Sequence, residues 1–438
     1  MTDISRISAL NEKYSIFARM ADDPKTDSEF LFSAEDNLTS KDIETRCGSR
    51  ILDGHRPVFD AYVIEKMKAY GGELIGKTNM DEFGAGSFCT NSSFGVPKNP
   101  FDMERSCGGA AGGSACAAAV IEDHISLAAS TNGSICCPAS FCGVFGLAPT
   151  YGRISKFGLV DCSNSIDKVG LISSDPKRIA EFLPVISGKD ARDPTSCAQP
   201  PLELKGRKIK TVAVPKDALS NLSKDVASCF DSSLDALKGM GIEVDTVEMP
   251  SLKYAQPACT VIAAAEASTN LASYVGMRYG QQDGDLSLKF DDYFTSVRTE
   301  YFGEEVKKRI ILGTFVRMGE ARERYYMKSL KARHLVISCY KKVFEDHDAV
   351  LTPTMPIISP RFDEISMMTS AGSDQAGRLT APPDLAGMPH ISVPCGYSGN
   401  GMPIGMQMVT DHWNEDPLLT FANDWGSVFD IKRPEVTL

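Results

Sequence analysis

Ser134 lies in the segment Ser130-Thr131-Asn132-Gly133-Ser134-Ile135-Cys136-Cys137-Pro138-Ala139, directly after a strand-like apolar run at Ile125–Ala129. A serine hydroxyl in such a turn can serve as a nucleophile, and the backbone N–H groups of Thr131, Asn132 and Gly133 can hold the oxyanion of a tetrahedral intermediate. Upstream lies a second small-residue run, Cys107-Gly108-Gly109-Ala110-Ala111-Gly112-Gly113-Ser114-Ala115, followed by helix-compatible residues through Val120. Glycine-rich turns of this kind let backbone amides approach a substrate closely. No Gly-Lys-Ser/Thr follows, so it is not a phosphate loop, and no βαβ unit with a ribose-binding acid surrounds it.

Other chemistry is poorly supported. The six histidines, His55, His124, His334, His347, His390 and His412, show neither an HExxH pattern nor Cys/His metal-ligand spacing. A Ser-His-Asp triad has no sequence support. The spacing of Cys136, Cys137 and Cys142 is wrong for a zinc knuckle, which leaves buried thiols as the better reading.

The elements that must position these residues alternate between helix and strand. Ile4, Ile7, Leu10, Tyr14 and Phe17 recur near helical spacing, which predicts an amphipathic helix from Ile4 to Met20. A second helical pattern from Pro57 to Tyr70, carrying Val63, Ile64 and Met67, leads into a strand at Glu73–Gly76. Short apolar strands are predicted at Ile125–Ala129, Thr211–Pro215, Ala349–Pro353, His390–Pro394 and Gly405–Val409, with helices at Lys224–Lys238 and Glu304–Phe344. The pattern is that of an α/β chain with a largely buried mixed sheet. Pro200, Pro201 and the charged stretch to Lys210 mark a hinge, after which residues 200–345 are a candidate lobe on the core of one domain spanning 1–438.

With 438 residues, 42% hydrophobic and 24% charged, the chain can bury a sizeable core. A net charge of −11 argues against this chain being the main grip on a phosphate backbone. Thirteen cysteines without a disulfide framework point to a reducing, cytoplasmic setting. Charged residues interrupt the first twenty positions, so no signal peptide is expected, and the absence of any apolar run of 18 residues predicts no membrane span.

The two small-residue segments, followed by Phe141-Cys142-Gly143-Val144-Phe145-Gly146-Leu147-Ala148-Pro149-Thr150-Tyr151-Gly152-Arg153, resemble the amidase signature. Gly76–Phe83, Ala264–Leu271, Arg309–Phe315 and Leu385–Pro389 resemble, within that family, the A subunits of tRNA-dependent amidotransferases. The resemblance covers nearly the whole chain and implies the amidase-signature fold, a mixed β-sheet core flanked by helices on both faces. It also implies a Ser nucleophile, a cis-peptide Ser that relays its proton, and a Lys base. Ser134 falls on the nucleophile, whereas Ala110 occupies the relay position and Glu35 the position of the Lys. Gly109 and Ala111 flank the relay position and are expected to line the substrate pocket. Arg309 matches the arginine that pairs with a substrate carboxylate, its other reading being a surface cation on a charged helix. The acidic residue that holds the substrate amino group aligns with Gly377, and nearby Asp374 is a candidate substitute.

The resemblance further implies partners: a B subunit that carries ATP and magnesium and contacts tRNA, and a small C subunit. No cofactor is expected in this chain. In such a complex glutamine supplies ammonia for amidation of Glu-tRNA(Gln) or Asp-tRNA(Asn), and the residues at positions 35 and 110 lead us to expect impaired glutamine hydrolysis. The alternatives are a structural subunit of that complex using free ammonia, and a free-standing amidase for another small amide.

Overall fold

The computed structural model describes residues 4–437 apart from 26, 42, 197, 283, 370, 371, 373 and 374. The described residues form thirteen strands: β1 (Phe17–Met20), β2 (Phe30–Glu35), β3 (Gly72–Thr78), β4 (Lys98–Asn99), β5 (Asp102–Ser106), β6 (Ile125–Ser130), β7 (Phe145–Ala148), β8 (Lys168–Ser173), β9 (Thr211–Pro215), β10 (Glu243–Val247), β11 (Ala349–Pro353), β12 (His390–Tyr397) and β13 (Pro403–Val409). Eleven of them make one mixed sheet in the order β1-β3-β2-β6-β8-β7-β12-β13-β11-β9-β10, and β4 pairs with β5 in a separate hairpin. β2 runs parallel to β3 and β6, β9 runs parallel to β10 and β11, and the pairs between β6 and β11 are antiparallel.

Successive side chains of a strand face opposite sides of a sheet, and here both sides are buried. Leu127, Leu147 and Leu171 enter one core, which also holds Phe182, Leu418 and Trp425 from the helices Pro176–Ile186 and Glu415–Val428. Their neighbours Ala128, Ala148 and Ile172 enter a second core with Ala115, Ala118 and Ala139 from the helices Gly112–Val120 and Cys136–Phe141. A third core sets Ala213, Val350 and Val409 of the sheet against Ala258, Ile262 and Val336 of the helices Ala255–Asn270 and Lys328–Val343. Helices therefore cover both faces, as expected.

Two predicted helices end early. The first covers only Ile4–Tyr14; Asn11 receives Ser15 N–H on its carbonyl at 2.8 Å and Phe17 N–H on its side-chain oxygen at 2.7 Å, and Ser15 turns the chain at φ +55°. Phe17, which fits the helical stripe in sequence, instead opens β1 on the edge of the sheet. The predicted Glu304–Phe344 helix breaks after Arg317, where Met318 is extended (φ −90°, ψ 137°) and Gly319 takes φ +44°.

The helix Gly112–Val120 is buried at every residue. Its small side chains let it lie close to the sheet, and Gly113 marks the tightest point: a Cβ there would sit 2.5 Å from Ile16 O and 2.6 Å from both Asn79 N and Asn79 O. Because those atoms are backbone, Gly113→Ala is expected to destabilise the chain by about 1–3 kcal/mol or more through overpacking. Chemical denaturation should record a lower midpoint at unchanged slope.

Candidate functional site

The loop after β5 and the turn after β6 meet at the head of these small-residue helices. Gly109 N–H donates to Ser87 O at 3.0 Å, Ala110 O accepts from Asp81 N–H at 3.2 Å, and Ala111 N–H reaches Ser134 O at 3.4 Å. The Gly109–Ala110 peptide is cis. Gly109 presses on the Asp81 carboxylate, where a Cβ would lie 2.5 Å from Oδ2. Ser134 itself is 8% exposed.

Glu35 ends β2 in register with Thr78 on β3, and Thr78 Oγ1 shares a 2.6 Å hydrogen bond with Ser114 Oγ of the Gly112–Val120 helix. Glu35 thus ends its strand beside the residue that the Gly112–Val120 helix packs on. Its Oε2 accepts Ala129 N–H at 2.5 Å. Burial pushes the carboxyl up to about 8 against that hydrogen bond, so it is mainly protonated at neutral pH. Among the described residues no hydrogen bond joins Glu35 to Ser134. The nearby buried lysine, Lys77, faces the opposite way and donates to Leu38 O at 2.5 Å and Thr45 Oγ1 at 3.2 Å.

The nucleophile turn is held by two carboxylates that the sequence did not single out. Asp384 Oδ2 accepts Gly133 N–H at 2.5 Å and Ser130 Oγ–H at 2.7 Å, while Asp384 Oδ1 lies 3.0 Å from Lys168 Nζ. Both members of that ion pair are buried. Burial opposes the charge on Asp384, but Lys168 and the Ser130 hydroxyl hold its carboxyl below the usual range. His390, 3.7 Å from Asp384 Oδ1, is pushed down to about 4 by burial and by Lys168, so it is neutral at pH 7. Asp167 accepts Thr131 Oγ–H at 2.7 Å and the N–H groups of Cys162 and Ser163 at 2.9 and 2.7 Å, and burial lifts its carboxyl to about 7.

These contacts revise the expected oxyanion set. Gly133 N–H is committed to Asp384, whereas among the described residues the N–H groups of Thr131, Asn132 and Ser134 make no hydrogen bond to the protein. Gly133 also packs so tightly on Thr380 that a Cβ would sit 2.1 Å from its Oγ1. Only glycine satisfies this position, with φ +89°.

Arg309 projects from the Glu304–Arg317 helix, half-buried, with Nη1 3.9 Å from Cys162 Sγ. Among the described residues it forms no ion pair, which leaves its guanidinium open to a carboxylate ligand. Its charge also reaches Asp81, whose carboxyl burial lifts to about 6 against the N–H groups of Asn91, Cys89 and Thr90 and, more weakly, Arg309. Gly377 begins the turn above Asn132, and Asp374 lies outside the described residues. Cys136, Cys137 and Cys142 are buried free thiols bonded to backbone carbonyls. Among the described residues no cluster of three or more His, Cys, Asp or Glu side chains could hold a metal, and no helix is long and apolar enough to cross a membrane.

Residues 31–419 match the family described as Amidase. The chain belongs to the amidase family. This amidase is similar to the A subunit of the glutamyl-tRNA(Gln) amidotransferase from Archaeoglobus fulgidus, 41% identical over 399 residues that cover 91% of this chain and 85% of the relative. It is also similar to the corresponding A subunit from Macrococcus caseolyticus, 38% identical over 444 residues covering 98% and 91% of the two chains. The crystal structure of the A subunit of the Thermotoga maritima glutamyl-tRNA(Gln) amidotransferase superposes with a TM-score of 0.84 at 31% identity, covering 99% of this amidase and 93% of that chain.

Two measurements probe the site's electrostatics. Asp384→Ala strands Lys168 in the interior and should cost about 3–5 kcal/mol, read as a lowered thermal midpoint. For Glu35, the folded pKa of about 8 stands above the ordinary carboxyl value of 4.5, so its contribution to stability is full below 4.5 and is lost as pH rises through about 8. Glu35→Gln keeps an acceptor for Ala129 N–H but cannot ionise. Relative to the parent it should therefore gain stability between pH 5 and pH 9, on the order of a few kcal/mol, in denaturant titrations at the two pH values.

Proposed function

We propose that this chain is the A subunit of a heteromeric tRNA-dependent amidotransferase, delivering ammonia to a B subunit that amidates Glu-tRNA(Gln) or Asp-tRNA(Asn), with its own glutamine hydrolysis strongly impaired. The observation that carries the assignment is similarity to such A subunits along nearly the whole chain, at 41% identity over 399 residues for the Archaeoglobus fulgidus protein. The net charge of −11 fits a subunit that leaves the tRNA to its partner.

The impairment is a matter of proton transfer. Ser134 Oγ would attack the amide carbonyl while the free N–H groups of the 131–134 turn hold the oxyanion. The hydroxyl proton must then leave, and the methyl of Ala110 cannot relay it. Glu35, mainly protonated near neutrality, holds Ala129 N–H and makes no hydrogen bond to Ser134 among the described residues. Arg309 would pair with a ligand carboxylate.

The complex with its B and C subunits should use ammonium far better than glutamine as nitrogen donor, since losing the proton-transfer apparatus costs roughly 10⁴ to 10⁶ in rate. Steady-state amidation assays with each donor measure this. Residual glutamine-dependent activity should vanish in Ser134→Ala. Glutamine turnover matching ammonium-driven amidation would refute the impairment, and failure of the chain to assemble with a B subunit would refute the assignment.

A further inference from the structure

The helix that carries Arg309 turns another face outward, and that face is charged against the trend of the chain. Between positions 304 and 342 stand eleven Lys and Arg against four Glu, in a chain whose net charge is −11. Gly313 fixes the orientation of the Glu304–Arg317 helix: a Cβ there would lie 1.8 Å from Ala264 O, so the helix rests on the Ala255–Asn270 helix at that point. Ile311 and Phe315, two residues to either side, therefore face away from the body. They are 70% and 52% exposed, and Leu312 and Met318 are exposed beside them. The Lys328–Val343 helix turns Ser329, Val336 and Tyr340 inward, which leaves Lys328, Lys331 and Leu335 exposed, with Arg324 exposed one turn earlier. The rings of Phe315 and Tyr325, 5.8 Å apart between centroids, join the two segments. An apolar ridge thus runs beside a basic one.

Lys308, Arg322 and Lys341 are paired with Glu305, Glu323 and Asp411, whereas among the described residues Arg324, Lys328 and Lys331 form no ion pair. Unpaired surface cations alone are ordinary solvated groups. Here they flank large apolar side chains, which folded chains rarely expose side by side without a use. We propose that this face docks an acidic amphipathic helix of a partner protein, with its apolar stripe on Ile311, Leu312, Phe315 and Met318 and its carboxylates toward Arg324, Lys328 and Lys331. Such a helix matches both ridges at once. A nucleic acid would match only the basic ridge and the two rings, because Ile311, Leu312 and Met318 offer nothing to a phosphate and no ring on which a base can stack. Ile311 and Phe315 lie on the far side of their helix from Arg309, so the docking face is separate from the ligand-binding guanidinium.

The docking face goes beyond the amidotransferase reading and does not rest on it. Fluorescence anisotropy with the full chain compares two labelled peptides of about 18 residues, one with Leu in a single helical stripe flanked by Glu, the other a scramble of the same composition without the stripe. The striped peptide should bind with a Kd of about 1–100 μM, at least about tenfold more tightly than the scramble, and raised salt should weaken it. Lys328→Glu with Lys331→Glu, and separately Ile311→Ser with Phe315→Ser, should each weaken it at least about tenfold. Should a double variant lose its native circular dichroism, the single changes Ile311→Ala and Lys331→Gln carry the test, each weakening the striped peptide about threefold. No saturable binding, equal binding of the two peptides, or an affinity that these changes leave untouched overturns the proposal. Displacement of the peptide by a lower concentration of oligouridylate would overturn it in favour of a nucleic-acid contact. A parent chain that sediments as a dimer, with Phe315→Ser a monomer, would overturn it in favour of self-association.

Discussion

A buried ion pair, Asp384 with Lys168, fixes the geometry on which the site depends. Taking both charges out of water is expensive, and their attraction repays it only with good geometry and with the remaining valences filled. Here the chain that must be positioned supplies them in part: Ser130 Oγ–H and Gly133 N–H both donate to Asp384 Oδ2, and Met388 O accepts from Lys168 Nζ at 2.9 Å. The nucleophile turn is thus a necessary part of the pair's solvation. Neighbouring Asp167 fixes Thr131 in the same way, so consecutive residues at the start of β8 reach the turn directly and through Asp384.

The turn is rigid, but rigidity does not supply proton transfer. Small residues bring the helix Gly112–Val120 and the Gly109–Ala111 loop hard against the sheet, and Ala110 and Ala111 are buried with them. That packing leaves a dry site in which backbone N–H groups are strong oxyanion donors. The same dryness raises the Glu35 carboxyl and keeps it mainly protonated at neutral pH. One environment therefore strengthens the electrostatic half of amide chemistry and weakens the acid–base half.

Much of the frame was legible in the sequence, because short apolar runs bounded by turn residues admit few alternatives. The strands at Thr211–Pro215 and Ala349–Pro353 fall where the pattern places them. The N-terminal helix was overextended because Phe17 satisfies the helical stripe and the strand equally well, and the hydrogen bonds of Asn11 decide between them. In the middle region Gly319 carried the break, but charged helical residues on both sides masked it. The site was legible only where neighbours in sequence are neighbours in space. Asp384 directly precedes the recognised Leu385–Pro389 segment, yet nothing in one sequence pairs it with Lys168 or Gly133.

The order of strands has a consequence for how the chain is made. β12 and β13 lie in the middle of the sheet, between β7 on one side and β11 on the other, although they are the last strands in the chain. A ribosome that has released residues up to 389 has already produced two partial sheets, each with an open edge that only residues 390–409 can cover. Such edges are templates for pairing with other chains. The two halves of this protein can be joined only once residues 390–409 have been made, and until then nascent chains depend on being kept apart.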